Sequence, residues 1–121
     1  MSKIESAMDL KVFEKAYSLS LQVHKLSHKF PPVELYELGK QLRRSSKSIC
    51  VNIAEGYGKR KGSVSEFKRY LQIAIGSTDE TLVWVRYSFD LGYIGQDTYQ
   101  DWTNGYQEVA KMLHGLHKSW K

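Results

Sequence analysis

One cysteine, Cys50, and two adjacent prolines, Pro31 and Pro32, are the whole complement of either type in 121 residues. A single thiol excludes an intrachain disulfide and a thiolate cluster for zinc, and it fits a reducing compartment. Cys50 therefore reads as a small packing residue. So few prolines leave long stretches free to be helical. No window approaches the roughly eighteen uninterrupted apolar residues of a membrane-spanning helix, and residues 1–8 lack the apolar core and small-residue cleavage site of a secretory signal. The expectation is a cytoplasmic protein without a membrane partner. A chain of this length supports one core, so residues 1–121 are expected to form a single domain. Strand-like alternation, low-complexity tracts and internal repeats are absent.

What is present is apolar spacing of helical period. From Asp9 to about Lys29, Val12, Ala16, Leu19, Val23 and Leu26 step by four and three, with Leu10, Phe13 and Tyr17 widening the stripe. After Phe30-Pro31-Pro32, Leu35, Leu38, Leu42, Ile49, Ile53 and Tyr57 mark a second helix ending near Gly56 to Gly58. Ser63-Val-Ser-Glu66 matches a capping box and starts a third helix, whose core stripe runs Phe67, Leu71, Ala74, Thr78, Leu82, Val85 and Phe89 before Gly92. A fourth helix carries Tyr99, Trp102, Tyr106, Val109, Leu113, Leu116 and Trp120. Four segments of similar length with short connections predict an all-α, antiparallel up-down-up-down four-helix bundle.

The net charge of +5 is unevenly placed. Residues 40–69 hold nine basic residues against two acids, Glu55 and Glu66, while the rest of the chain carries slightly more acid than base. Lys40, Arg43, Arg44 and Lys47 fall at i, i+3, i+4 and i+7, one stripe pointing roughly 150° from the apolar set of the same helix. Lys59, Arg60 and Lys61 follow in the next loop, beside the N-terminus of the third helix, where free backbone N–H groups favour anions. A solvated face that aids solubility is the plain alternative. Arginines that fork onto phosphate, and a stripe without acids, point instead to nucleic acid held through its backbone, since no base-reading motif is present.

A second stripe on the third helix, Tyr70, Ile73, Gly76, Ser77, Trp84 and Tyr87, lies off the core face. Self-association would cover it, and the glycine at mid-helix marks a place where another backbone can approach. Aromatics wrapping the bundle edge are the other reading, and a protein partner at Trp84 and Tyr87 would make the molecule an adaptor.

Several chemistries find no support. His24 with His28 and His114 with His117 have helical pair spacing, but the bundle topology places the pairs at opposite ends, and the Glu-x-x-His motif of carboxylate di-metal bundles is missing. No metal or cofactor is expected. No G-x-S-x-G elbow presents a nucleophile. Gly56 to Ser63 has neither the preceding strand nor the spacing of a phosphate-binding loop. No catalytic residues are assigned, and the chain is expected not to be an enzyme.

Gln41-Leu-Arg-Arg-Ser-Ser-Lys-Ser-Ile49, Asn52-Ile-Ala-Glu-Gly56 and Phe67-x-x-Tyr-Leu-x-Ile-Ala74 with Gly76-Ser77 together resemble the four-helix-bundle family of 23S rRNA intervening-sequence proteins. The resemblance extends from Asp9-Leu-Lys-Val-Phe to Leu91-Gly-Tyr-Ile94. That family is similar in fold to the accessory protein of diversity-generating retroelements, a homopentamer that binds nucleic acid and a reverse transcriptase. The resemblance implies a pentamer with a basic surface including Arg43, Arg44, Lys59 and Arg60, and no enzyme. Cys50-Val51 replaces a Pro-Ser that the family often has, which should leave the second helix straighter. Ile75 stands where a polar or basic residue is common, which removes a cation. Asn52 and Glu55 read as hydrogen-bonding residues at a bundle or subunit contact.

Overall fold

The computed structural model describes residues 4–121; the first three residues of the start considered above lie outside them. A 3-10 turn, Ala7–Asp9, opens the described chain, its Ser6 hydroxyl accepting from the Met8 amide while Asp9 accepts from the Ser6 amide. The helices are α1 (Lys11–Ser27), α2 (Pro32–Leu35), α3 (Leu38–Lys59), α4 (Val64–Asp90) and α5 (Gln96–Ser119). The four long ones pack antiparallel, α1 against α3, α3 against α4, α4 against α5 and α5 back against α1. That is the up-down-up-down order, and the described residues contain no strand.

Two boundaries differ from the sequence reading. The first helix starts at Lys11 rather than Asp9, which belongs to the preceding turn. The second is broken: Pro32 opens the single turn α2, and the chain unwinds at Tyr36 and Glu37 before α3 begins. Buried Phe30 and Leu38 anchor the two sides of this corner. Val33 and Tyr36, 74% and 80% exposed, have nothing to pack on, so no apolar gain draws the break into a continuous helix. From Leu38 onward α3 runs unbroken through Cys50-Val51.

Ala16, Val23, Leu42, Ile49, Ile53, Phe67, Leu71, Ala74, Val85, Tyr106, Val109 and Leu113 are fully buried and form one core. Between α3 and α4 the contact includes small hydroxyl side chains. Thr81 Oγ1 donates to Ser45 Oγ (2.9 Å), and Ser48 Oγ lies 2.9 Å from Ser77 Oγ. Asn52 Nδ2 donates within α3 to the Ser48 carbonyl at 2.8 Å, and Glu55 is exposed. Nearer the α3–α4 loop, Gly56 meets Tyr70 so closely that a β-carbon there would fall 2.6 Å from Tyr70 Cβ. At the far end, Gly92 (φ +82°) takes the left-handed conformation that closes α4, with Tyr93 and Gly92 amides donating to the Ser88 and Phe89 carbonyls. None of the described helices is long and apolar enough to cross a membrane.

Candidate nucleic-acid interface

The cations of the α3 stripe lean to different neighbours. Arg43 and Arg44 sit about 100° apart around the helix, so they lean to opposite neighbours. Arg43 turns toward α1 and α2, where Nη1 donates to Ser27 Oγ (2.9 Å) and Nη2 to the Leu35 carbonyl (2.6 Å). Gly39 leaves room for it: a β-carbon at that position would lie 3.0 Å from Arg43 Nη1. Arg43 thus braces the α1–α2–α3 corner. Arg44 leans toward α4, paired with Glu80 and bonded to Gln41 Oε1 at 3.0 Å. Lys40 and Lys47 are exposed between these two.

Lys47 Nζ donates to His24 Nδ1 at 3.0 Å. Accepting that bond requires a neutral ring, and desolvation followed by the charges of Lys47, His28 and Arg43 holds the His24 pKa below its ordinary value. His28 turns its own Nδ1 to the His24 carbonyl, 2.7 Å away, and the two rings lie 4.7 Å apart. The other pair, His114 and His117, lines a small cleft with Gln72 and Ile75.

At the α3–α4 corner the cations are matched with aromatic rings. The Arg60 guanidinium carbon lies 3.7 Å from the centre of the Tyr57 ring, and its Nη1 donates to the Tyr57 carbonyl at 2.6 Å. Lys59 Nζ and Arg69 Cζ stand 5.9 and 4.7 Å from the centre of Tyr70. Lys61 is exposed in the loop. Ser63 caps α4 by accepting from the Glu66 amide (3.1 Å), but the reciprocal half of the expected capping box is not made. Glu66 instead bonds Arg69 Nε at 2.7 Å, and that bond and the arginine's charge lower its pKa. Lys68 bonds the Trp120 carbonyl at 2.8 Å and so fastens the end of α5 to this corner.

The second stripe of α4 divides in the same way. Ser77 faces α3 through its bond to Ser48, and Trp84 is half-buried with Nε1 donating to Glu80 (2.8 Å). Tyr70 is half-buried over Gly56. Ile73 and Gly76 are exposed, with open space where a Gly76 side chain would begin. Tyr87, 53% exposed, continues with Val83 and Leu91 into an apolar ridge beside Glu34, Glu37 and the Arg86–Asp90 ion pair. Sequence periodicity missed an apolar groove of about 500 Å³ between α1 and α3, lined by Phe13, Tyr17, Leu21, Cys50, Val51 and Ala54 and edged by His24 and Lys47. Tyr17, placed in the core stripe by its spacing, is half-exposed here and stacks on Phe13. The signal available was Val51, an apolar residue one turn beyond Lys47 on the basic face. Burial pushes the Cys50 thiol up to about 11, so it is protonated at neutral pH and serves as packing.

A family model described as 23S rRNA-intervening sequence protein matches residues 8–115 of the chain. The chain is also similar to the crystal structure of a protein of unknown function from the S23 ribosomal protein family of Bacteroides thetaiotaomicron VPI-5482. The identity is 26% and the TM-score 0.79, with 88% of this chain and 95% of that one covered. No curated protein matches.

Proposed function

The chain belongs to the 23S rRNA-intervening sequence protein family, and from that premise we propose that it is a non-enzymatic, homo-oligomeric bundle of the cytoplasm that binds nucleic acid through phosphate contacts. The observation that carries the reading is the segregation of charge along α3 and its loop, where Lys40, Lys47, Lys59 and Lys61 are exposed and Arg44 and Arg60 lie beside them. Such a surface attracts polyanions and reads sequence weakly.

Self-association is supported by two apolar surfaces of different surround. The α1–α3 groove carries His24 and Lys47 at its edge, and the Val83–Tyr87–Leu91 ridge carries Glu34 and Glu37 together with the Arg86–Asp90 ion pair. Two different patches meeting head to tail generate a ring when the rotation closes, and the family resemblance favours five copies. A ring would present several weak basic surfaces to one polyanion at high effective concentration. The adaptor reading keeps one observation in its favour, the exposed Tyr87 ring beside half-buried Trp84, which a protein partner such as a reverse transcriptase could cover.

The test is binding of a labelled structured RNA and an unrelated DNA duplex across a salt series, with oligomeric mass recorded in the same buffers. Binding to both is expected, weakening linearly in log salt. Replacing Lys40, Lys47, Lys59 and Lys61 by glutamine should flatten that slope by up to about 3. An intact oligomer that binds neither nucleic acid at low salt refutes the proposal and favours the adaptor.

A further inference from the structure

We infer that the α3–α4 corner takes unpaired bases, so that the nucleic acid this protein prefers is single-stranded or looped. The inference rests on the phosphate-contact reading and adds the chemical face of the ligand that the protein touches. Arg60 is held over Tyr57 by two contacts at once, the ring centre 3.7 Å from its guanidinium carbon and the Tyr57 carbonyl 2.6 Å from its Nη1. One face of the guanidinium plane is covered by the tyrosine, and the other is a preformed stacking surface for a base. On α4, Tyr70 is seated on Gly56, where no side chain intervenes, and is flanked by Lys59 and Arg69.

Arg69 is itself held by Glu66, which orders the cation at the ring and partly neutralises it for phosphate binding. The corner therefore offers the Arg60 guanidinium over Tyr57 and the cation-flanked Tyr70 ring, with the ammonium groups of Lys59 and Lys61 close by. That combination suits a strand whose bases are splayed out and whose backbone runs alongside. A duplex hides its base faces in the stack and would use only the ammonium groups.

The experiment compares labelled oligoadenylate, oligouridylate and an RNA duplex of equal length, bound to the full chain at one low salt concentration and across a salt series. The expected order is oligoadenylate, then oligouridylate, then duplex, following stacking strength. Arg60→Lys keeps the charge and loses the plane, and Tyr70→Leu keeps the bulk and loses the π face. Each should weaken oligoadenylate binding roughly ten-fold more than duplex binding, with helical content by circular dichroism unchanged. Equal losses on both ligands, or no loss in either variant, overturn the inference while leaving phosphate binding standing. Failure of the unaltered protein to bind any of the three overturns both.

Discussion

A methyl group added at Gly56 tests whether α3 and α4 meet as closely as described. Two terms compete. Alanine is favoured over glycine inside a helix by about 1 kcal/mol. Against this, the new β-carbon would fall 2.6 Å from Tyr70 Cβ, 3.2 Å from Phe67 Cδ1 and 3.3 Å from the Phe67 carbonyl oxygen. The nearest of these is anchored directly to the α4 backbone, so relief requires the helices to part rather than a side chain to rotate. Overpacking of this kind costs about 1–3 kcal/mol, and a backbone-anchored clash belongs at the upper end. The net expectation for Gly56→Ala is a loss of about 2 kcal/mol, or roughly 8 °C in melting temperature for a chain of this size. Gly76→Ala on the exposed side of α4 meets nothing within 4 Å and should gain about 1 kcal/mol in the isolated bundle. Thermal unfolding of the two variants, followed by circular dichroism at one protein concentration, reads the contrast. A Gly56→Ala protein as stable as the original would refute the close approach, and with it the seating of Tyr70.

Arg43→Gln should act on stability and not on binding. It removes charge-assisted bonds to Ser27 and the Leu35 carbonyl, a loss of about 2 kcal/mol visible in the urea midpoint, while the salt slope for nucleic acid stays put. A stable variant with weakened binding would return Arg43 to the interface. Stability should also fall as pH drops through the ordinary histidine range. The folded His24 pKa lies below its unfolded value, so the unfolded chain binds the proton first and gains on the native state until both forms are protonated. Urea midpoints at about pH 7.5 and about pH 5.5 check this against His24→Asn; a variant with the same pH dependence would place its origin elsewhere.

The helices were legible because apolar spacing is a direct consequence of which face is buried: Leu42, Ile49 and Ile53 of α3 are all fully buried, as their period requires. The Ser63 cap was legible for a similar reason, since its partner is local in sequence. Partners distant in sequence were not. The spacing that puts Arg43 beside Arg44 on a helical stripe says nothing of Ser27 or Leu35, which claim the guanidinium in the folded chain. Ser77 read as a stripe residue because only the packing of α3 supplies Ser48 opposite it. The cations of the α3–α4 loop could be seen, yet their arrangement over Tyr57 and Tyr70 depends on how two helices meet at Gly56.

The hydroxyl pairs between α3 and α4 act as a vernier. Apolar side chains tolerate sliding, since one methyl serves nearly as well as another, but a hydroxyl needs its partner at one height along the axis. Displacing α4 by a turn would break the Thr81–Ser45 and Ser48–Ser77 bonds, at a net cost of about 0.5–1.5 kcal/mol each, while Ser45 and Thr81 keep their bonds to the Leu42 and Ser77 carbonyls. The axial position of Tyr70 over Gly56 is therefore set from a distance, by a graduation cut into the middle of the helix pair.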